Sequence, residues 1–309
     1  MSAIAEQSLS ISAVERETGI SKDVLRKWES RYGFPAPLRD DQGERSYPPD
    51  QVTRLRLIKR LMDTGLRPSR IVGESVETLD ALARTSRLPV SSPAGEDTAA
   101  TSLAMLRLED PTGLRQRLRR ELLSLGVASF VQDILMPLSE AVGEAWARGE
   151  IGIHEEHLYT EVVQGLLRDV IANLSDPRGQ PRIVLTTLPE EQHGLGLLMA
   201  AALLSLRGAY CISLGTQTPA QDIVQAARAH NAAVVALSFS IAYSHRRIAP
   251  VLAELRQRLD LETELWAGGA GCARISPPAA GVRVLPTLEA TLDALANWRA
   301  ASKSKLAVS

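Results

Sequence analysis

The sequence predicts a multidomain chain of α and α/β class. It reads as a small Arg-rich helical head, an all-helical middle and a doubly wound parallel sheet. Three observations carry this. Residues 8–75 hold short helical patterns separated by a Gly-containing turn. From 102 to 175 apolar residues recur at helical spacing. From 181 onward short apolar runs alternate with helical stretches, the order expected of strands and helices wound into one sheet. A length of 309 residues is enough for two or three such domains.

The head opens with a short helix over Ser10–Glu17 and a tight turn at Thr18-Gly19-Ile20. Ser21 then caps a second helix running through Arg31, because its hydroxyl can accept from a first-turn N–H. Helix, glycine turn, helix is the helix-turn-helix pattern. The second helix carries Lys22, Arg26, Lys27 and Arg31. Arg39, Gly43, Arg45 and Tyr47 follow in a Gly- and Pro-punctuated hairpin segment, and Asp50–Gly65 reads as a helix dense in Leu and Arg. Residues 84–101 mix Pro, Ser, Thr, Gly and Ala without apolar periodicity, which predicts a flexible linker. Leu103, Leu106, Leu114, Leu118, Leu122 and Leu125 then mark helices, Val127–Trp146 continues with Pro137 expected to kink it, and Leu158–Leu174 follows. The helical region spans 102–176.

Over 180–300 the expected strands are Arg182–Thr187, Tyr210–Leu214, Ala233–Phe239, Glu264–Ala267 and Val282–Leu285. The expected helices between and after them are Leu195–Leu206, Ala220–His230, Arg246–Leu259 and Thr287–Trp298. In such sheets ligands bind outside the carboxyl ends of strands. His193, Ser238 and Gly268 all fall at or just past a strand end, so three separated motifs converge on one edge. Glu191, two residues before His193, can reach one ring nitrogen and fix the tautomer.

Composition excludes some classes. With 35 basic and 36 acidic residues, only a local basic cluster argues for nucleic acid. No apolar run of transmembrane length stands out and the N-terminus lacks a signal pattern, so a soluble cytoplasmic protein is expected, without a membrane partner. Cys211 and Cys272 fit neither a disulfide framework nor a CxxC metal site, and read as reduced, partly buried fillers.

Three motifs of the head, Val24-Leu-Arg26-Lys-Trp28-Glu29, Arg31-Tyr-Gly-Phe-Pro35 and Gly43-Glu-Arg45-Ser-Tyr47, resemble the winged helix-turn-helix of MerR-type transcription regulators. The resemblance covers about residues 8–75. It implies that the second helix enters the major groove and that Arg45 and Tyr47 of the wing meet the phosphate backbone. The helix cations would supply base-edge and phosphate contacts. Trp28 reads as packing between helix and wing. Metal-sensing relatives carry a long dimerisation helix and ligand cysteines after this domain; neither is evident here.

Glu191-x-His193-x-x-Gly196, Ser238-x-Ser240 and Gly268-Gly269 resemble the cobalamin-binding fingerprint of methionine synthase and mutase domains. This implies a Rossmann-like cobalamin-binding domain with His193 as lower axial ligand to cobalt. Gly194 and Gly196 would admit the corrin, and Ser238, Gly268 and Gly269 would receive the nucleotide tail. Ser240 stands where the fingerprint usually has Leu. Trp146, followed at a distance by Glu156-His157, resembles the signature of the four-helix-bundle cap in cobalamin-dependent MerR-type repressors, the light-sensing regulators of carotenoid genes. By that resemblance Trp146 covers the upper axial face, Glu156 contacts an adenosyl group and His157 lies beside it. Light-sensing members have a His directly after the Trp. Here Ala147 cannot ligate, which puts bis-histidine capture in doubt and leaves His154 and His157 as the neighbouring imidazoles.

The expected function is a DNA-binding transcriptional regulator of repressor type, with no catalytic residues. Its self-assembly, as dimer or tetramer, and its operator binding would respond to adenosylcobalamin or another cobalamin, and to light in the manner of a photoreceptor. One alternative is a regulator of the same architecture that senses another ligand or a protein. Another is a cobalamin-dependent enzyme component, against which the sequence shows no substrate domain.

Overall fold

The computed structural model describes residues 8–39, 43–63, 66–85, 93–275 and 280–308. The chain forms two compact units, one built from the residues up to Leu114 together with Asp133–Tyr159, the other from Arg115–Gln132 and the residues from Thr160 onward.

In the first unit, β1 (Leu9–Ser10) leads into α1 (Ile11–Thr18), followed by α2 (Lys22–Tyr32). The hydroxyls of Ser10 and Ser21 accept from Ala13 N and Val24 N, as the sequence predicts for N-caps. Gly19 and Gly33 end the two helices in the left-handed conformation, both at φ 67°, and each donates its N–H back to the last turn. β2 (Leu38–Arg39) and β3 (Arg45–Tyr47) complete a small antiparallel sheet of order β1-β3-β2. Next come α3 (Pro49–Asp63), α4 (Pro68–Ile71) and α5 (Val76–Thr85). Val14, Leu25, Trp28, Tyr47, Leu55 and Ile58 are the centre of the core.

The expected linker is helical over much of its length. Residues 86–92 lie outside the described residues, but α6 runs Pro93–Arg107. Its buried side chains include Thr98, Ala99 and Ser102, small residues that let it lie closely against α8 (Met136–Ala147). Small buried residues leave no apolar period to read. Beyond the head's expected end, α8 also packs on α3, and Ala147 belongs to the head core.

Between these helices, α7 (Pro111–Ser129) is broken at Gly126 (φ 75°, ψ 168°) and followed by a π-helical turn, Phe130–Leu135. Pro137 follows that π-helical turn, in the first turn of α8, where the wider turn accommodates a residue without an N–H. The whole stretch Pro111–Ala147 is apolar enough by length and composition to cross a membrane, contrary to the sequence reading. Phe130, Val131, Ile134, Leu135 and Leu138 are nevertheless buried in protein, while Leu123, Leu125 and Met136 are exposed. α9 (Ile153–Leu174) closes the helical region.

The second unit holds five parallel strands: β4 (Arg182–Thr186), β5 (Tyr210–Ser213), β6 (Val234–Ser238), β7 (Glu264–Gly268) and β8 (Val282–Leu285), in the order β5-β4-β6-β7-β8. All five coincide with predicted strands. Helices α10 (Leu195–Leu206) and α13 (Leu288–Val308) cover one face, packing on Ile183, Leu185, Val234 and Trp266. α11 (Ala220–Ala229) and α12 (His245–Arg258) cover the other, on Val184, Val235, Leu237 and Leu265. The chain leaves β4 toward β5 and β6 toward β7, in opposite directions, so a crevice opens between β4 and β6 at the switch point.

Candidate functional site

The loops after β4 and β6 meet at that crevice. Thr187, just past β4, donates its hydroxyl to the Glu191 carbonyl at 2.6 Å and accepts from Gln217 N at 2.9 Å, which pins the turn. Glu190 is held there at φ 74°, a conformation unusual for a residue with a side chain. The Glu191 side chain is only 1% exposed and receives four hydrogen bonds. His193 donates its backbone N–H (2.9 Å) and ring Nδ1 (2.7 Å) to Oε1. Ser240 donates its N–H (2.7 Å) and hydroxyl (2.8 Å) to Oε2.

Burial alone would raise the Glu191 pKa, but the hydrogen bonds from His193 and Ser240 outweigh it and hold the carboxyl below its ordinary value. An ionised Glu191 accepts a hydrogen bond from Nδ1–H, so in the neutral imidazole the lone pair sits on Nε2. The His193 side chain is 65% exposed. A buried carboxylate thus orients an accessible imidazole, the arrangement that a histidine ligand to a metal uses.

The glycines serve the same edge. A Cβ on Gly196 would stand 3.9 Å from the Ser238 hydroxyl, so the start of α10 passes close to the end of β6. Gly269 adopts φ 92°, and a Cβ there would fall 2.4 Å from the Phe239 carbonyl oxygen. Its first demand is therefore the packing of two loop backbones, beyond any room left for a ligand. Next to it Cys272 is buried, its Sγ 3.3 Å from the Gly268 carbonyl, and burial pushes its thiol up to about 12. Both cysteines are free thiols, as expected. The residues fit a cobalamin: a locked imidazole and glycines share the switch point.

Trp146, Glu156 and His157 belong to the first unit. The Trp146 ring is half-buried under the Arg56 guanidinium, 5.7 Å from the ring centroid, and its Nε1 is buried without a hydrogen-bond partner among the described residues. Ala147 is fully buried in the head core with Val14, Leu55 and Ile58. Position 147 thus faces the head. His157 is 68% exposed with Nδ1 2.8 Å from Glu156 Oε2, and His154 is 67% exposed beside Glu109.

On the head, Arg26, Lys27 and Arg31 are exposed along α2, and Lys22 is half-buried near Glu15. The two wing residues expected to meet phosphate both turn their polar groups inward. Tyr47 is 0% exposed, a core residue whose hydroxyl is buried. Arg45 turns its guanidinium onto Glu29 of α2, Nε to Oε2 at 2.8 Å. Sequence reasoning missed Thr187 and the bracing part of Ser240. Polar residues directly after a predicted strand were the available signal.

A family model described as MerR HTH family regulatory protein matches residues 9–74. Two models described as B12 binding domain match residues 110–168 and 181–296. The HTH-type transcriptional repressor CarH of Myxococcus xanthus is 31% identical over 272 residues, covering 86% of this chain and 90% of that protein. The HTH-type transcriptional repressor CarA of the same organism is 28% identical over 250 residues, 79% of this chain and 81% of that one. Among solved structures, the Methanosarcina barkeri monomethylamine corrinoid protein aligns with TM-score 0.50 at 15% identity, over 65% of this chain and 98% of that one, a likeness of fold alone. With a MerR-type head, two B12 binding domain matches and a repressor relative spanning nearly its whole length, the chain belongs to the family of MerR-type, cobalamin-responsive transcriptional repressors.

Proposed function

We propose that the chain is an adenosylcobalamin-responsive repressor, without catalytic activity of its own, that acts on an operator in the cytoplasm. The observation that carries the site is the buried Glu191, whose four hydrogen bonds from His193 and Ser240 fix the His193 ring. His193, through Nε2, would be the residue that holds the cobalt of the cofactor. Gly196, Ser238, Gly268 and Gly269 would receive its nucleotide tail. Trp146, Glu156 and His157 are the residues that would hold it on its adenosyl side. When bound, adenosylcobalamin supplies a light-sensitive cobalt–carbon bond. Ala147 offers no imidazole for capture on that side, so a light response here does not use position 147.

The head, residues 8–75, grips duplex DNA through Lys22, Arg26, Lys27 and Arg31 of α2. Regulation requires that the cofactor bind one assembly, dimer or tetramer, more tightly than another; equal affinity would shift nothing. Residues 93–176, extended from the expected start at 102 by α6, form the helical cap, and 180–300 the cobalamin-binding domain.

The test is retention of the cofactor. Protein mixed with adenosylcobalamin in the dark and desalted is expected to keep a cobalamin absorbance spectrum. His193→Ala and Glu191→Ala are expected to lose or alter it. A colourless wild-type protein sinks the reading.

A further inference from the structure

We infer that Arg45 is a positioning residue that clamps the wing onto the recognition helix, and that the wing's phosphate-facing charge is Arg39. Along a strand, alternate residues share a face. Tyr47 is fully buried in the head core, so Arg45, two residues before it on β3, points to the same inner side. There its fork meets Glu29, Nε to Oε2 at 2.8 Å and Nη2 to Oε1 at 3.4 Å, with side chains only 26% and 27% exposed. A half-buried forked pair holds orientation as well as charge. It ties β3 to α2, the helix that carries Arg26, Lys27 and Arg31. It also cancels the charge of Arg45 locally, leaving little net attraction for a phosphate.

Arg39 lies opposite Arg45 in register, on the outer strand β2. Its side chain is exposed and braced by one hydrogen bond, Nη1 to the Gly43 carbonyl at 3.0 Å. Among the described residues no carboxylate pairs with it. It is the arginine of the two wing strands whose charge reaches solvent uncancelled by such a pair.

The inference rests on the DNA-binding reading of the head, and its test separates the two. The full chain, with adenosylcobalamin in the dark, is titrated against a fluorescein-labelled duplex of mixed sequence over a range of salt. Each phosphate contact contributes about 0.9 to the log–log salt slope. Arg45→Gln is expected to weaken binding about fivefold with the slope unchanged, since an ion pair of this exposure is worth only that much. Glu29→Gln is expected to weaken it similarly, and the double variant no further, because both singles break one clamp. Arg39→Gln is expected to lower the slope by about 0.9. If Arg45 were itself a phosphate ligand, Glu29→Gln would tighten binding and Arg45→Gln would lower the slope; either result overturns the inference, as does an unchanged slope in Arg39→Gln. Wild type that binds no duplex overturns both the head's reading and the inference. Should Arg45→Gln fail to fold, Arg45→Lys, which keeps the charge but loses the fork, carries the same comparison: unchanged slope supports the clamp, and binding and cycle indistinguishable from wild type overturn it.

Discussion

Ala147→His is the substitution that would give this chain the imidazole its light-sensing relatives have after the Trp, and the structure argues that the head would resist it. Ala147 is 0% exposed and belongs to the same buried cluster as Val14, Leu55, Ile58 and Leu61. Forcing a ring into that space costs about 1–3 kcal/mol in overpacking. Burying a polar imidazole without partners adds about 1–3 kcal/mol. The sum, about 2–6 kcal/mol, corresponds to a fall in melting temperature of about 5–20 °C for a unit of this size. Ala147→Ser, nearly the same volume, is expected to lose less than half as much. The assay is thermal unfolding of the full chain by circular dichroism, without cofactor. A His variant melting within about 1 °C of wild type would mean that position 147 does not sit in the head core, and the argument would fail.

Other expectations follow from single contacts. The Tyr47 hydroxyl is buried without a partner among the described residues, so Tyr47→Phe should leave stability unchanged or raise it by up to about 1 kcal/mol. Its DNA affinity should stay within about twofold, and a loss above about tenfold would restore Tyr47 as a DNA contact. Gly269→Ala places a Cβ 2.4 Å from the Phe239 carbonyl at φ 92° and should destabilise the sheet unit by about 3 kcal/mol or more, read by thermal unfolding; an unshifted melt would contradict this. Burial pushes the Cys211 thiol up to about 11 and the Cys272 thiol up to about 12. At pH 8 about one Cys211 in a thousand is then thiolate, against about a tenth for a cysteine at its ordinary value, so iodoacetamide should label the native protein far more slowly than the urea-unfolded one. The sign for stability follows: the contribution of the neutral buried thiols is complete below their ordinary value near 9.0 and is lost as pH rises toward 11 and 12. Equal labelling rates in the two states would remove both cysteines from the interior.

Local rules carried the sequence reading far. Ser10, Ser21 and Gly19 announce the two head helices because capping and left-handed turns are chemistry within a few residues. The five strands were legible from apolar runs, and the fingerprint converged on the β4–β6 crevice because strand ends and switch points follow from the alternation itself. What escaped depends on contacts between distant segments. α6 hides because its buried side chains include Thr98, Ala99 and Ser102. β3 is three residues long, too short for its alternation to tell which side Arg45 takes. Ser240 braces Glu191 only because β6 lies beside β4, so its departure from the usual Leu read as a mild anomaly and not as a hydrogen-bond donor. Ala147 was read against the cofactor, whereas its neighbours are head residues far away in sequence.

His193, held by Glu191, is proposed to supply the nitrogen that holds the cobalt. The most direct measurement is electron paramagnetic resonance of the cobalt(II) cofactor in protein grown with nitrogen-15 histidine. Superhyperfine splitting of the axial lines is expected to change from the triplet of unlabelled protein to a doublet, and to vanish or change source in His193→Ala. A triplet that persists under histidine labelling, or is untouched in His193→Ala, would show that the lower ligand is not this histidine.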